Sequence, residues 1–153
     1  MPSGEDAPSK QTQDAIAAMT RNTPHGGALG MEITKVENAR AYGRAAFRED
    51  LVGDAESEVI AGGVIIAFLD QLAGAAVMAA LGKLHPIATL DLRIDYMRPA
   101  RPRQDVRAEA HCYKVTRSIA FVRAVAYEDS PDDPVANATA AFMLTAPIAK
   151  AKA

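Results

Sequence analysis

The stretch AGGVIIAFLDQLAGAAVMAAL, residues 61–81, decides the fold of this 153-residue chain. It begins with two glycines after Ala61 and continues as a nearly unbroken apolar run, with one acidic residue, Asp70, in its middle. As a helix it is apolar on every face, which predicts that it is buried in the core and does not lie on a surface. A carboxylate in such a helix costs free energy unless a neighbouring group pairs with it or the protein's chemistry uses it.

Strands are predicted on both sides of this helix. Hydrophobic alternation and turn residues predict them at 31–39, 41–47, 87–97, 105–116, 118–128 and 135–145. A short helix is predicted at 11–21, and residues 49–58 are predicted to form an irregular acidic connection. Strands grouped around one buried helix are typical of an α+β fold, in which one antiparallel sheet wraps around the helix. Because one sheet cannot cover a helix that is apolar all round, we expect a second copy of the chain to bury the rest.

Residues 87–97 carry the clearest strand pattern in the chain. Their strict alternation predicts one apolar face and one polar face. The apolar face is predicted to hold Leu90, Leu92, Ile94 and Tyr96, and the polar face Thr89, Asp91, Arg93 and Asp95. Thr89 is therefore expected on the outward side of this strand.

Composition indicates a single globular domain. Apolar residues make up 49% of the chain and charged residues 24%, and a formal net charge of −2 gives no reason to expect nucleic acid as a partner. Residues 1–9 are predicted to be disordered, residues 10–148 to form the domain, and residues 149–153 to be a flexible tail. The single cysteine, Cys112, excludes an internal disulfide and a cysteine metal cluster.

The same sequence argues against several classes of protein and site. The first ten residues, MPSGEDAPSK, have no apolar signal core, so a cytoplasmic protein is expected. Residues 61–81 are nearly long enough to span a membrane, but their alanines and glycines and the strands around them favour a core helix. His85 and His111 have no second ligand at metal spacing, so no metal site is predicted. His25-Gly26-Gly27 is interpreted as a loop, since no G-x-S-x-G motif accompanies it.

Three motifs, in this order, resemble those of the hotdog-fold acyl-CoA thioesterases of the phenylacetate-degradation and thioesterase-superfamily type. They are Gly62-Gly63 followed by Leu69-Asp70, the strand TLDLRIDYMRPA at 89–100, and Ala-Phe-Val at 120–122. The resemblance covers residues 28–145. It implies a hotdog fold, which is an α+β fold with an antiparallel sheet wrapped around one long central helix.

The resemblance also implies a role for each matching residue. The backbone N–H of Gly62 is expected to be the oxyanion donor, Asp70 the general base or nucleophile, and Thr89 a residue that positions the attacking water. The residues expected to bind the substrate and its CoA part are Gly63, Arg98, Arg101, Arg103 and Arg117. The CoA thioester is the substrate, and no further cofactor is implied.

The chemistry of thioester hydrolysis agrees with these residue types. A helix that begins with two glycines offers unpaired N–H groups and a favourable dipole to a developing oxyanion, and a carboxylate can activate or deliver a nucleophile. Eight residues of helix correspond to a rise of about 12 Å, so Gly62 and Asp70 of one chain cannot both reach one carbonyl. The site therefore needs a partner's Asp70, and we predict an obligate homodimer, with a homotetramer left open.

Two alternatives remain at this stage. Ala61 stands where many relatives have histidine, and Ala55 stands where many have asparagine or glutamine. These departures motivate the alternative of a non-catalytic or weakly active acyl-CoA-binding hotdog protein. A hotdog dehydratase or hydratase would need a catalytic histidine near the helix, and Ala61 argues against it.

Overall fold

The computed structural model describes residues 7–145. Its helices are α1 (Lys10–Asn22), α2 (Pro24–Ala28) and α3 (Gly62–Leu81). Its strands are β1 (Met31–Glu37), β2 (Arg40–Ala45), β3 (Val52–Asp54), β4 (Val59–Ile60), β5 (Ile87–Tyr96), β6 (Val106–Val115), β7 (Ile119–Tyr127) and β8 (Ala136–Leu144). A single 3-10 turn, Glu49–Leu51, precedes β3.

Six of the strands form one antiparallel sheet in the order β1-β2-β6-β7-β8-β5. The long helix α3 packs against one face of this sheet, and the small β3–β4 hairpin leads the chain into it. The predicted architecture, an antiparallel sheet wrapped around one central helix, is confirmed. Strands β1 and β5 form the two edges of the sheet.

Small side chains on the sheet let α3 approach it closely. The buried alanines on the helix-facing side are Ala41, Ala45, Ala108, Ala110, Ala120, Ala124, Ala126, Ala136, Ala138 and Ala140. At Gly43 a Cβ atom would lie 3.0 Å from the Phe68 ring and 3.1 Å from Leu72 of α3. Large residues from the helix therefore fill the space that small residues of the sheet leave, which gives the dense packing that a core requires.

The ends of α3 lie where the sequence predicts them. Gly82 follows the helix with φ 65°, the left-handed conformation that glycine adopts without strain, and its N–H bonds to the carbonyls of Ala79 and Met78. Ala61 is the N-cap and makes no side-chain bond. In length and composition α3 could cross a membrane, but 67% of its most apolar window is buried inside the fold. This burial supports the prediction of a core helix.

Two local predictions are wrong. The segment His25-Gly26-Gly27 belongs to the short helix α2, because Pro24 occupies a first-turn position where its missing N–H is not needed. The connection predicted at 49–58 contains the 3-10 turn and β3, and β3 pairs with β4 around a turn at Asp54–Ser57. Ser9 belongs to the segment predicted to be disordered, but it is ordered: it caps α1 by accepting a hydrogen bond from the Thr12 N–H. Residues 1–6 and the predicted tail at 149–153 lie outside the described residues.

The predicted faces of β5 are wrong at its start. Thr89 pairs with Phe142 and Asp91 with Ala141, so Leu90 is an extra residue in a β-bulge. The bulge reverses the alternation, and Thr89 faces α3 together with Leu92. Leu90 itself is 49% exposed.

One side of α3 is open in the single chain, which contradicts the prediction of burial on every face. Gly62, Gly63 and Ile66 are exposed, and Ala67 and Asp70 are half-buried. The edge strand β5 continues this surface with three large residues: Leu90, Tyr96 and the adjoining Met97 are 49%, 48% and 59% exposed. Soluble monomers rarely expose contiguous apolar surface of this kind. The uncovered stripe is the part of α3 that we expected a second copy to cover.

Arg98, just after β5, ties this edge of the sheet to the end of β7. Its guanidinium donates to Glu128 at 2.5 Å and 3.3 Å and to Asp133 Oδ1 at 3.1 Å. Glu128 is only 4% exposed, and it also accepts a bond from the Arg101 N–H at 2.7 Å. These bonds fix the chain at the point where it leaves β5.

Replacing Glu128 with Gln should destabilise the fold by about 3 kcal/mol, because Arg98 then keeps a partly buried charge without its carboxylate partner. Asp133→Asn removes the exposed partner of the same arginine and should cost less than about 1 kcal/mol. Urea unfolding at neutral pH measures both values. Equal losses in the two variants would contradict a special contribution from Glu128.

The same pair predicts a pH dependence. Burial raises the pKa of Glu128, but the hydrogen bonds from Arg98 and the Arg101 N–H outweigh it and leave the pKa below the ordinary value of 4.5. A carboxyl with a lowered pKa adds stability above its unfolded pKa, and that stability is lost as the pH falls through the folded pKa. Unfolding free energies measured below pH 4.5 should therefore fall less steeply in Glu128→Gln than in the unsubstituted protein.

Candidate active site

Asp70 lies in the middle of α3 at the open side of the helix, where it is half-buried. The hydroxyl of Thr89 donates a hydrogen bond of 2.9 Å to Asp70 Oδ1. The bulge at Leu90 makes this bond possible, because strict alternation would turn Thr89 to the other face of β5. One carboxylate oxygen is thus held by the strand, while no bond is recorded for Oδ2 among the described residues. Asp70 and Thr89, both predicted site residues, are brought together.

The start of α3 presents backbone donors. Gly62 and Gly63 are its first two residues, so their N–H groups have no acceptor within the helix. Nothing lies within 4 Å of a Cβ atom built on Gly63, and Ala61 places no side chain on these donors. The positive end of the helix dipole and two free N–H groups together form a place where negative charge on an oxygen is stabilised.

Tyr96 is a residue that sequence reasoning did not assign to the site. Its hydroxyl donates a 2.9 Å hydrogen bond to the carbonyl of Gly62, which anchors the first turn of α3 to β5. A Cβ atom on Gly62 would lie 3.1 Å from that hydroxyl, so glycine permits the close approach. Burial raises the pKa of Tyr96, which keeps the hydroxyl protonated as a donor at neutral pH. Its place in the alternating strand was visible in the sequence, but its contact with the helix start was not.

The two halves of the site are separated along one chain. Gly62 and Asp70 stand eight residues apart on the same straight helix, a rise of about 12 Å. Both lie on the open side, next to the exposed residues Ile66 and Met97. The groups are therefore available to a neighbouring chain but do not converge on a single reacting atom within their own chain.

The four predicted arginines occupy different environments. All three guanidinium nitrogens of Arg98 are engaged by Glu128, Asp133 and the Pro99 carbonyl. Arg101 bonds to Asp129 and the backbone of its own loop is held by Glu128. Neither arginine is a free phosphate ligand in the single chain, and the donors that Arg98 would offer to CoA are used within the fold.

Arg103 and Arg117 are more accessible. Arg103 is about half exposed, bonds to Glu58 at 2.6 Å and lies over the Phe47 ring at 5.4 Å. Arg117 is exposed in the β6–β7 turn, and no ion pair is recorded for it among residues 7–145. This turn adjoins the start of β5, whereas Arg103 follows its end. A strand of this length spans about 30 Å, so the two arginines of one chain cannot bind one phosphate group.

No cluster of three or more histidine, cysteine, aspartate or glutamate side chains is arranged to hold a metal ion within the described part of the chain. The lone thiol of Cys112 is buried in β6, and burial raises its pKa to about 11. At neutral pH it stays protonated, which makes it a poor nucleophile. The chemistry available at the open side of α3 is thus that of a carboxylate and backbone N–H groups.

Comparisons with known proteins agree with this arrangement. A model of the thioesterase superfamily matches residues 58–135, which include the start of α3, Asp70 and all of β5. The medium/long-chain acyl-CoA thioesterase YigI of Escherichia coli is 28% identical over 136 residues, covering 79% of this chain and 85% of YigI.

Solved structures share the fold. A protein from Pseudomonas aeruginosa superposes with a TM-score of 0.79 at 33% identity, covering 86% of this chain and 98% of that protein. The Escherichia coli PaaI protein, from the phenylacetic acid degradation operon, superposes with a TM-score of 0.73 at 16% identity, covering 84% of this chain and 89% of PaaI. At that identity PaaI is evidence for the fold alone.

Ala61→Ser should stabilise the protein by about 1 kcal/mol, because a serine at the N-cap accepts a bond from a free N–H of the first turn. Ala67→Ser places the same residue inside the same helix, where no free N–H is in reach, and should cost about 0.5 kcal/mol. Urea unfolding of both variants measures the difference. A loss of stability in Ala61→Ser would show that the N–H groups in the first turn of α3 already have hydrogen-bond acceptors.

Proposed function

Because the chain belongs to the thioesterase superfamily, we propose that it hydrolyses an acyl-CoA or aryl-CoA thioester to the free acid and CoA. The observation that carries this proposal is Asp70, held by Thr89 on the same open side of α3 as the free N–H groups at the helix start. No further cofactor enters the proposed reaction. The alternative of a protein that binds acyl-CoA without turnover is not favoured, and it becomes an outcome of the test below.

Asp70 supplies the base or the nucleophile in this reaction. Thr89 donates to Oδ1 and thereby orients the carboxylate, which leaves Oδ2 to take a proton from water or to attack the thioester carbon. The carbonyl oxygen gains negative charge as the new C–O bond forms, and the Gly62 N–H stabilises it. The C–S bond then breaks, CoA leaves as the thiolate, and a proton restores its thiol. When water is the attacking group, the free acid forms in this step; when Asp70 attacks, the product is an acyl-aspartyl anhydride, which water hydrolyses to the free acid and the Asp70 carboxylate.

A second copy of the chain completes each site. If two chains pack antiparallel through the open side of α3 and the β5 edge, the partner's Asp70 comes next to this chain's Gly62. That packing also covers Ile66, Tyr96 and Met97, which the single chain leaves exposed. The exposed apolar surface and the 12 Å rise between the two catalytic groups thus support the same homodimer with two composite sites.

The same antiparallel packing gives Arg103 and Arg117 a common role. An antiparallel arrangement of two β5 edges brings the partner's Arg117 towards the end of β5 that Arg103 of this chain follows. Together they offer two guanidinium groups to the phosphates of CoA. Arg98 is left out of this contact because its donors are used within the chain.

An acyl chain is the part of the substrate that we expect the protein to select. YigI is named as a medium/long-chain acyl-CoA thioesterase. The open side of α3 offers Gly63, Ile66 and Ala67, and the adjoining strand offers Leu92, all of them apolar surface suited to a hydrocarbon chain. A medium or long acyl-CoA is therefore proposed over an aryl-CoA.

Acyl-CoA and aryl-CoA thioesters of graded size, assayed by release of free thiol, test the activity. Asp70→Asn should lower kcat/KM at least about 100-fold, because the reaction loses its base or nucleophile. Thr89→Val should lower it about tenfold, since the hydroxyl donates to a charged group. Asp91→Asn removes a carboxylate on the outward face of the same strand and should change little.

Saturable CoA-thioester binding without thiol release from any substrate would overturn the enzymatic proposal in favour of a binding protein. Thiol release that persists in Asp70→Asn would overturn the assignment of Asp70. Preference for aryl-CoA substrates would leave the hydrolase intact and contradict only the proposed acyl chain.

Subunit mixing tests the composite site. Gly62→Pro removes the proposed oxyanion donor at a helix position that accepts proline, and Gly62→Ala is its control, because it adds a Cβ but keeps the N–H. Asp70→Asn and Gly62→Pro chains should each be inactive alone. Each heterodimer should regain one of its two sites, so an equal mixture should reach about a quarter of the unsubstituted activity after exchange. No recovery after demonstrated exchange would contradict the shared site.

A further inference from the structure

The face of the sheet opposite α3 carries a row of cationic side chains. Arg40 of β2 stands directly opposite His111 of β6, and His111 stands directly opposite Arg123 of β7. Residues on adjacent strands lie about 5 Å apart, so the three side chains share one small area. The helix-facing neighbours in these strands, among them Ala110 and Ala124, are buried, which assigns the row to the outer face.

These side chains line a cavity of about 250 Å³. Its walls also include Glu109, Val125 and Asn137. Binding pockets for drug-sized molecules measure about 300–1,000 Å³, so this cavity suits a smaller ligand. It lies on the other side of the sheet from Asp70 and plays no part in the proposed hydrolysis.

Arg40 and Arg123 stand on either side of His111, about 10 Å apart at two strand spacings, so their like charges repel each other. No ion pair is recorded for Arg40 or Arg123 among residues 7–145, whereas Arg44, Arg93 and Arg103 each have at least one. Arg123 lies over the Tyr113 ring at 4.5 Å, which orients its guanidinium without neutralising it.

The acidic groups near the row offset its charge only in part. The hydrogen bond from Lys35 and the weaker effect of the Arg40 charge lower the pKa of Glu37, but neither Arg40 nor Arg123 has an ion pair recorded among residues 7–145. Glu109 is the single carboxylate on the cavity wall, two residues along β6 from His111. Glu37 faces Arg40 across the β1–β2 hairpin, but it is bonded to Lys35 and to the Tyr42 hydroxyl. On β5, Arg93 is paired with Asp95, so that strand adds no free charge.

We propose that Arg40, His111 and Arg123, with the amide of Asn137, form a binding site for a small phosphoryl anion on the outer face of the sheet. Guanidinium groups bind phosphate oxygens in pairs, and an anion between them removes the repulsion within the row. The phosphoryl group could be a free anion, such as pyrophosphate, or the 3′-phosphate of CoA.

His111 reports on this site. Burial lowers its pKa, and the charges of Arg40 and Arg123 lower it further. A bound anion offsets both charges and favours the imidazolium, so by linkage the anion should bind more tightly as the pH falls. The other titratable group on the cavity wall is Glu109, an acid, so it adds no positive charge near the ring.

Calorimetric titration of the full chain with pyrophosphate tests the proposal. Arg40→Gln and Arg123→Gln should each weaken binding at least tenfold, and Arg123→Lys should restore only part of it, because lysine lacks the paired donors. Arg107→Gln is the matched control: it removes an exposed arginine from the same strand as His111, outside the cavity. Each variant should keep the kcat of the unsubstituted protein at saturating substrate, since none touches the α3 side.

The pH dependence of anion binding is measured with sulfate, because its charge is constant between pH 5.5 and 8. The His111 ring, followed by NMR, should titrate at a pKa higher by about one unit when sulfate is saturating, and His111→Gln should abolish the pH dependence of sulfate binding. Comparing CoA with 3′-dephospho-CoA identifies the source: a preference for CoA that is lost in Arg123→Gln assigns the site to the 3′-phosphate, and equal affinities assign it to a free anion. Absence of saturable binding by pyrophosphate and sulfate, or an equal loss in Arg107→Gln, would overturn the site.

Discussion

The packing of one apolar helix against a sheet lined with alanine is the interaction on which the rest of this structure depends. Phe68, Leu69 and Leu72 of α3 are fully buried, and each contributes about 1.5–3 kcal/mol of hydrophobic free energy. The alanines of β6, β7 and β8 and the absent side chain of Gly43 give these residues room. The strands can therefore curve around the helix, and its length decides the length of the core.

The same packing determines where chemistry can occur. A sheet covers one side of a helix, so the side that carries Gly62, Ile66 and Asp70 stays open. The open side has a helix start with unpaired N–H groups, a carboxylate held by Thr89, and an apolar edge strand beside them. Core and candidate site are thus two sides of one helix, which is why we propose that a second chain completes both.

Charge is divided between two tasks. Arg98 and Glu128 use their charges to hold the end of β5, and five other arginines are paired at the surface: Arg44, Arg48, Arg93, Arg101 and Arg103. Arg40 and Arg123 have no ion pair recorded among residues 7–145, and the register of β2, β6 and β7 places them on either side of His111. One sheet therefore separates the candidate active site, with its backbone N–H groups and carboxylate, from an outer side that carries Arg40 and Arg123.

The sequence by itself determined the class of fold, the bounds of α3, the thioesterase family and the spacing between Gly62 and Asp70. These features are local, since hydrophobic periodicity, a glycine stop and a motif spacing are each written in consecutive residues. Tertiary structure alone decided that Thr89 faces Asp70, that Tyr96 holds Gly62, that Arg98 is fully engaged and that Arg40 and Arg123 flank His111. The physical reason is that a bulge in β5 and the register of the other strands depend on the partner strands, and no pattern along one segment contains them.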